Sequence, residues 1–474
     1  MTAPGGGRPI GSVAETKAGT AVFDPAAGEV SVIGLARSGR AVAKLLAKRG
    51  ARIYASDAGD AGGLAPVASE LRSLGIAVDV GRHDLQRIAA SSLVVVSPGV
   101  PPDAPPLVAA RTSGVPIVSE VEFALGCLPD QRYVAITGTN GKTTTTSLTA
   151  RLFEAVGRTS IAAGNIGTPL AEVALSDDRP QWIALEVSSF QLHDTPSIDP
   201  AIGILTNLAA NHLDRYSSIG AYYLDKAQLF RNSTTRSRWI SNSDDPDART
   251  MVEPTPGDHF WFSVRGNADA WFDRSSNTLM VLGKPLLNRD ELALIGDHNV
   301  ANALAASLAV MLADPAHQTP GAVVRIAEAL RRFTALEHRI EPVPTADGIT
   351  WINDSKSTNV ASTLVALRGM RRPTVLLLGG RHKGEPYTEL ADELRRTGRA
   401  VIAYGEAALL VERDLKGVVP VRRLGSSFDE VIAAARDVAK SGDVVLLSPA
   451  CSSYDMFDDY EQRGRTFKNT VAQA

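Results

Sequence analysis

Cysteine is almost missing. The 474 residues hold two, Cys127 and Cys451, far apart and outside any metal-ligand spacing. That excludes a disulfide framework and a thiolate zinc centre, and it suits a reducing compartment, so a cytoplasmic location is expected. Long apolar runs are also missing: no stretch approaches the roughly 20 residues that cross a bilayer, and no membrane insertion is expected. Neither sign of charge dominates, with 49 Lys and Arg against 52 Asp and Glu and a net charge of −3. Nothing in that balance favours nucleic acid or an anionic membrane surface as a partner. The first 28 residues lack a basic start followed by an apolar core, so they do not read as a secretory signal. Rich in Gly, Ala and Pro, residues 1–28 read as a flexible extension.

What is present is a composition 44% hydrophobic and 21% charged, enough to fill sizeable cores, over a length that suits roughly three domains. From Val30 onward, strand candidates alternate with helical stretches: Val30–Gly34, Arg52–Asp57, Ile76–Val80, Leu93–Ser97 and Pro116–Ser119. Such alternation predicts a parallel α/β sheet. The expected fold class is α/β in three domains. Residues 29–129 form an N-terminal Rossmann-like domain with a parallel sheet. Residues 130–335 form a central P-loop ATPase-like domain with strands at Trp182–Glu186 and Ala201–Thr206. Its segment 258–287 reads as a small antiparallel insertion. Residues 336–474 form a C-terminal Rossmann-like domain, opening on a hairpin about Ala346-Asp347-Gly348 and continuing through Thr374–Leu378, Ala400–Tyr404 and Val444–Ser448.

The most informative stretch is residues 133–147, YVAITGTNGKTTTTS. An apolar strand runs into Gly138-Thr139-Asn140-Gly141-Lys142-Thr143, although the usual phosphate loop would have a further glycine where Ile136 stands. Gly138 and Gly141 let backbone amides face a phosphate, and a helix opening at Lys142 adds its positive end. Lys142 can neutralise the β- and γ-phosphates, and Thr143 can offer a hydroxyl to Mg²⁺. Glu186 ends a buried strand of the same domain and is a candidate metal ligand. His212 and Lys226, taken alone, read as a structural histidine and a solvated helical lysine. Three polar loops follow three C-terminal strands: Asn353–Asn359, Gly379–Lys383 and Ser448–Ser453. In open parallel sheets ligands bind at such ends, so these loops suggest a site for a small anion. Near the start, Gly34-Leu35-Ala36-Arg37-Ser38-Gly39 approximates a dinucleotide fingerprint. Ala36 stands where the second glycine belongs, which disfavours a redox dinucleotide over another nucleotide-linked ligand.

Together these stretches resemble the Mur ligases, ATP-dependent amide-bond formers of bacterial peptidoglycan synthesis. The resemblance rests on the loop at 138–143, Gly164-Asn165-Ile166-Gly167, Glu186–Leu192, His212-Leu213-Asp214-Arg215, Gly296–Asn299, Glu337-His338-Arg339, Asn353–Asn359 and the segment Ser448–Phe467. It runs from about residue 30 to the end. It implies a monomeric, cytoplasmic ligase adding glutamate to UDP-N-acetylmuramoyl-L-alanine, with D-glutamate the expected enantiomer and ATP and Mg²⁺ as cofactors. Gly138, Thr139, Asn140, Gly141, Lys142, Thr143 and Thr144 would then hold the phosphates, and Asn299, Arg339 and Asp354 would contact ATP. Thr143, Glu186, His212 and a carbamylated Lys226 would surround Mg²⁺. Lys142, Glu186, His212 and Lys226 would be the catalytic groups. Ala36, Arg37, Asp57, Ser97 and Gly99 would lie near the uridine diphosphate, and Asn165 and Ser188 near the sugar peptide. Lys356, Thr358, Lys383, Ser453 and Tyr460 would frame glutamate. One departure stands out: the family usually carries aspartate before the motif histidine, and this chain has Asn211, which predicts altered metal affinity or pH dependence. The alternatives are a sister ligase for L-glutamate or another amino acid, a dinucleotide-dependent oxidoreductase and a non-catalytic nucleotide-binding regulator.

Overall fold

Uninterrupted apolar strands are stable only where both faces of a sheet are covered, and the chain meets that condition three times. The computed structural model describes residues 15–16, 20–21, 27–212, 215–344 and 348–473. Within the first 28 residues it describes a two-strand ladder, Glu15–Thr16 against Thr20–Ala21. The rest of that extension up to residue 26 lies outside the described residues, as do the hairpin residues Ala346 and Asp347.

The first sheet contains β1 (Glu29–Ile33), β2 (Arg52–Asp57), β3 (Ala77–Val80), β4 (Leu93–Val96) and β5 (Ile117–Ser119), all parallel, in the order β3-β2-β1-β4-β5. The order reverses at β1, so the crevice between the ends of β1 and β4 is the place where such a sheet binds ligands. Helix α1 (Arg37–Lys48) leaves the β1 turn directly. Gly39 on α1 lies so close to the Gly34 carbonyl that any Cβ would overlap it. The short helix α2 (Glu120–Gly126) leads into the central unit. There Glu120 accepts from the Ala171 amide, and Ser197 donates its amide and hydroxyl to Glu122.

The central sheet has nine strands: β6 (Tyr133–Thr137), β7 (Ser160–Gly164), β8 (Trp182–Glu186), β9 (Ile202–Leu205), β10 (Arg238–Asn242), β11 (Asp258–Ser263), β12 (Ala270–Asp273), β13 (Thr278–Val281) and β14 (Lys284–Asn288). Their order is β14-β13-β12-β11-β10-β9-β6-β8-β7. Segment 258–287 is therefore continuous with the main sheet. β11 pairs parallel with β10 and β12, and only the β12–β14 meander is antiparallel. Helices α3 (Lys142–Ala155) and α6 (Asp297–Ala313) supply the cover, with Phe153 stacked on Trp182 at 4.6 Å. Among the shorter helices between them in sequence are α4 (Ser189–His193) and α5 (Ile219–Ala227).

The third sheet joins β15 (Glu341–Val343), β16 (Thr350–Asn353), β17 (Thr374–Gly379), β18 (Gly398–Tyr404), β19 (Val421–Arg423) and β20 (Val444–Leu447) in the order β15-β16-β20-β17-β18-β19. β15 is antiparallel to β16 and the others run parallel. The three polar loops noted in the sequence leave β16, β20 and β17, which are adjacent, so their carboxyl ends form one surface. Helix α7 (Val360–Gly369) follows the first of these loops, and α8 (Tyr460–Gln473) ends the chain. No helix among the described residues is long and apolar enough to cross a membrane.

The tight α1–β1 contact gives a stability test. Gly39→Ala should destabilise the first unit by about 3 kcal/mol, because the atom in the way is backbone. Faster hydrogen exchange of the β1 and β2 amides, with the central sheet unaffected, is the expected signature.

Candidate active site

The loop after β6 needs glycine at two points. Gly138 has φ 143° and Gly141 has φ 81°. A Cβ would overlap the Thr206 hydroxyl at the first and the Asn302 amide at the second. Residues at the end of β9 brace the loop from below. Asn207 Oδ1 accepts from the Asn140 amide at 2.9 Å, and Thr206 Oγ1 and Asn207 Nδ2 donate to the Asn140 carbonyl at 2.6 and 2.9 Å.

Two lysines converge on that loop. Lys142 Nζ donates to the carbonyls of Gly138 and Thr139, both at 2.9 Å. Lys226, on α5 and 1% exposed, donates from Nζ to the Gly138 carbonyl at 2.6 Å and lies 4.7 Å over the Tyr222 ring. Lys226 is therefore not the solvated residue its helical position suggested. Burial pushes its pKa well down, and the neighbouring Lys142 pushes in the same direction. Lys142 is lowered too, by desolvation first, with Glu186 opposing.

Glu186 closes β8 and is 2% exposed. Its Oε1 accepts from Asn165 Nδ2 at 2.9 Å, while its buried Oε2 has no partner. His212 holds a left-handed backbone, φ 56°, a conformation that costs free energy outside glycine and gathers at functional sites. Its amide donates to Asn211 Oδ1 at 2.9 Å. Burial pushes the imidazole down to about 3, with Lys383, Lys142 and Lys226 adding to the effect, so the ring is neutral and keeps a lone pair. Leu213 and Asp214 of the same motif lie outside the described residues. Among the described residues no group of three or more His, Cys, Asp or Glu side chains is placed to hold an ion. The candidate donors here are one orphaned carboxylate oxygen, one neutral imidazole and the Thr143 hydroxyl. So few protein ligands, mostly oxygen, fit magnesium, which keeps much of its water and adds substrate phosphates.

The third unit reaches the same place. Arg339 Nη2 donates to Thr143 Oγ1. Lys356 Nζ lies 3.6 Å from the centroid of the Tyr460 ring, and Lys383 Nζ donates to Thr358 Oγ1 at 3.3 Å. Ser453 is buried at the end of the neighbouring strand loop. Asp354 is committed inward: Ser357 and Ser448 donate to its Oδ2 at 2.6 and 2.8 Å, and the Ile340 amide donates to Oδ1 at 3.2 Å. Between the central and third units a cleft is lined by Asn140, Thr144, Asn299, Asn302, Arg339 and Asp354. Asn299 donates to the Ile295 carbonyl and accepts from Asn302. Asn302 is a cleft residue that sequence reasoning passed over; its one signal is that it lies one turn beyond Asn299 on α6.

The N-terminal candidates split. Ala36 and Arg37 are exposed at the head of α1, and Gly99 is exposed near them. Asp57 accepts from the Leu35 and Gly59 amides, both at 2.7 Å, and the Ser97 hydroxyl donates to the Gly34 carbonyl at 2.9 Å. Those two shape the turn. Ser188 caps α4 in a capping box with Gln191. Below this turn an interdomain cavity of about 440 Å³ is lined by Ser97, Pro98, Phe190, His193, Arg215 and Tyr216. Phe190 and Arg215 belong to motifs visible in the sequence, whereas His193 and Tyr216 carried no such signal.

Fold and site together define a three-domain α/β protein of the phosphate-loop class. Three family profiles match in succession: the Mur ligase MurD-like N-terminal domain over residues 28–119, the Mur ligase middle domain over 136–310 and the Mur ligase glutamate ligase domain over 338–451. Among similar proteins is the UDP-N-acetylmuramoylalanine–D-glutamate ligase of Salinibacter ruber, 39% identical over 460 residues, covering 93% of this chain and 97% of that one. The ligase of the same name from Myxococcus xanthus is 38% identical over 454 residues, covering 94% and 98%. Among solved structures, the UDP-N-acetylmuramate-alanine ligase MurC of Thermotoga maritima aligns with a TM-score of 0.60 at 19% identity, over 93% of this chain and 98% of that one. The MurF ligase of Thermotoga maritima, in complex with ADP, aligns with a TM-score of 0.56 at 18% identity, over 80% and 89%. The chain belongs to the Mur ligase family.

Burial, followed by Arg339, pushes Lys356 down to about 7. The side chain is a cation below that pH and neutral above it. Binding of glutamate, followed by calorimetry on either side of neutrality, should weaken as pH rises through this value. Lys356→Arg should remove the dependence, because a guanidinium stays charged.

Proposed function

We propose that this protein is a cytoplasmic, monomeric ligase that joins D-glutamate to the alanine carboxylate of UDP-N-acetylmuramoyl-L-alanine at the expense of ATP. The observation that carries this reading is the convergence of separate units on one cleft. The central unit brings Lys142, Glu186, His212 and Lys226, and the third brings Arg339, Lys356, Thr358 and Lys383. Lys383 lies close enough to depress His212, and Lys142 and Glu186 act on Lys356.

A carboxylate does not form an amide unaided, because its oxygen leaves poorly. In the proposed first step a carboxylate oxygen of the acceptor attacks the γ-phosphorus of ATP. The bond from that phosphorus to the β-bridging oxygen breaks, ADP departs and an acyl phosphate remains. In the second step the amine of glutamate, having lost a proton to solvent, attacks the acyl carbon. Its C–N bond forms, the C–O bond to phosphate breaks and inorganic phosphate leaves. The protein's part is positioning and charge stabilisation. Loop amides and Lys142 hold the phosphates. Arg339 reaches the head of the same loop. Lys356 and Lys383 face the two carboxylates of glutamate. Asn165 orients Glu186, so its substrate role is shared with a positioning one.

Magnesium would be held by Thr143, Glu186 and His212, and when bound it would neutralise phosphate charge as it develops. Lys226 fits the set only after modification. Its depressed pKa supplies the neutral amine that adds carbon dioxide, and the resulting carbamate would turn a repelling cation into an oxygen donor.

Two outcomes test the proposal. Lys142→Ala should lower phosphate release by a factor on the order of 10²–10³ with an unchanged circular dichroism spectrum. Wild-type protein given ATP, Mg²⁺, the UDP-linked acceptor and each glutamate enantiomer should release orthophosphate with the D form; release with the L form alone would identify the alternative ligase. Separately, Lys226→Ala should be inactive and partly rescued by a short carboxylic acid. Absence of any rescue would argue against the carbamate.

A further inference from the structure

We infer that Ser362 is a positioning residue. It latches the amino-acid-binding unit onto the phosphate loop, so that each ligand strengthens binding of the other. The inference rests on the ligase reading above.

Ser362 lies on the first turn of α7, outside every motif that drew attention in the sequence. Its Oγ stands 2.8 Å from Asn140 Oδ1 of the phosphate loop, across the cleft, and 2.7 Å from Asn359 Oδ1 on its own side. A hydroxyl has one proton and cannot donate to both oxygens at once. Amide oxygen and nitrogen are assigned by their surroundings. Turning the Asn140 amide over resolves the conflict: Asn140 Nδ2 donates to Ser362 Oγ, which donates to Asn359 Oδ1. The result is a directed relay in which each of the two bonds has one donor and one acceptor.

Both ends of the relay are fixed. At one end the Asn140 main chain is braced by Asn207 and Thr206, which fixes the point from which its side chain reaches out. At the other end Asn359 caps α7, accepting the Ser362 amide at 2.7 Å, and directly follows Thr358, which accepts from Lys383. The next residue, Val360, donates its amide to buried Glu385 at 2.6 Å, and Glu385 lies two positions beyond Lys383 on the loop after β17. An anion that pulls Lys383 and Thr358 into place therefore sets the N-terminus of α7, and with it Ser362. Arg339 on Thr143 also ties the third unit to the loop.

The design also separates the latch from stability. Without the hydroxyl, the Ser362 amide still bonds Asn359, and alanine is the better helix former. Ser362→Ala should therefore keep the wild-type melting temperature while losing the coupling.

The test measures the affinity of a non-hydrolysable ATP analogue for the full chain with the UDP-linked acceptor, with and without D-glutamate. Wild type should bind the analogue at least about fivefold more tightly when glutamate is present, the low end of ordinary site-to-site coupling. Ser362→Ala should bind it equally in both conditions, and adding Ser362→Ala to Asn140→Ala should change the coupling no further. Coupling that survives in Ser362→Ala, effects of the two substitutions that add, or a wild type indifferent to glutamate would each overturn the latch. Wild-type turnover separates the two conclusions: no glutamate-dependent phosphate release means the ligase reading has failed, whereas normal turnover with coupling intact in Ser362→Ala means only the latch has failed.

Discussion

Two lysine Nζ atoms share one carbonyl oxygen, that of Gly138. Burial opposes the charged form of both; Lys142 adds to it at Lys226, and Arg339 adds to it at Lys142. Such a pair is tolerable only where anions come to meet it. The positive end of α3, where the phosphate loop ends, adds to the same field. Around it stand Arg339, Lys356 and Lys383 from the third unit. A cleft with this charge is poorly matched to itself and well matched to a triphosphate, an acyl carboxylate and an amino acid with two carboxylates. The orphaned oxygen of Glu186 and the neutral ring of His212 leave room for a divalent cation among those anions.

That charge excess also accounts for the division into separate units. If five cationic side chains sat on one rigid element with no ligand, each would be desolvated against the others. Distributing them over two units joined at residues 336–341 places the field at the cleft between the units. The joint carries the marks of a constrained path, with His338 at φ 64° and Ile340 at φ 46°. Lys468 of α8 bonds Glu337 and Glu341 on either side of it, at 2.6 and 3.0 Å. The first unit is tied to the central one through Glu120 and Glu122 on α2, both buried, which accept from Ala171 and Ser197.

The fold was legible because local pattern and global architecture agree. A run such as Trp182-Ile183-Ala184-Leu185 admits one placement, a strand covered on both faces, and the glycines at 138 and 141 admit one kind of turn. What misled was segment 258–287. It reads as a small antiparallel insertion, which holds for the β12–β14 meander but not for β11, because parallel pairing of β11 with β10 depends on residues distant in the chain and leaves no local trace. The site was legible by residue type more than by role. Lys226 and His212 look ordinary in sequence, since burial and a left-handed backbone come from packing. Asp57 and Ser97 also bond the backbone of the β1 turn, and Asp354 also accepts from Ser357, Ser448 and the Ile340 amide. Ser362 was illegible because its significance lies in the residue opposite.

Asn211 shows how geometry revises a chemical expectation. The usual carboxylate at this position suggested a contribution of charge to the metal site, and an amide cannot supply that. In the structure its oxygen accepts the His212 main-chain amide within the left-handed turn. An amide oxygen does this as well as a carboxylate. It also adds no anion to a site whose lysines must be free to meet substrate phosphates. Asparagine thus retains the orienting function and gives up the electrostatic one.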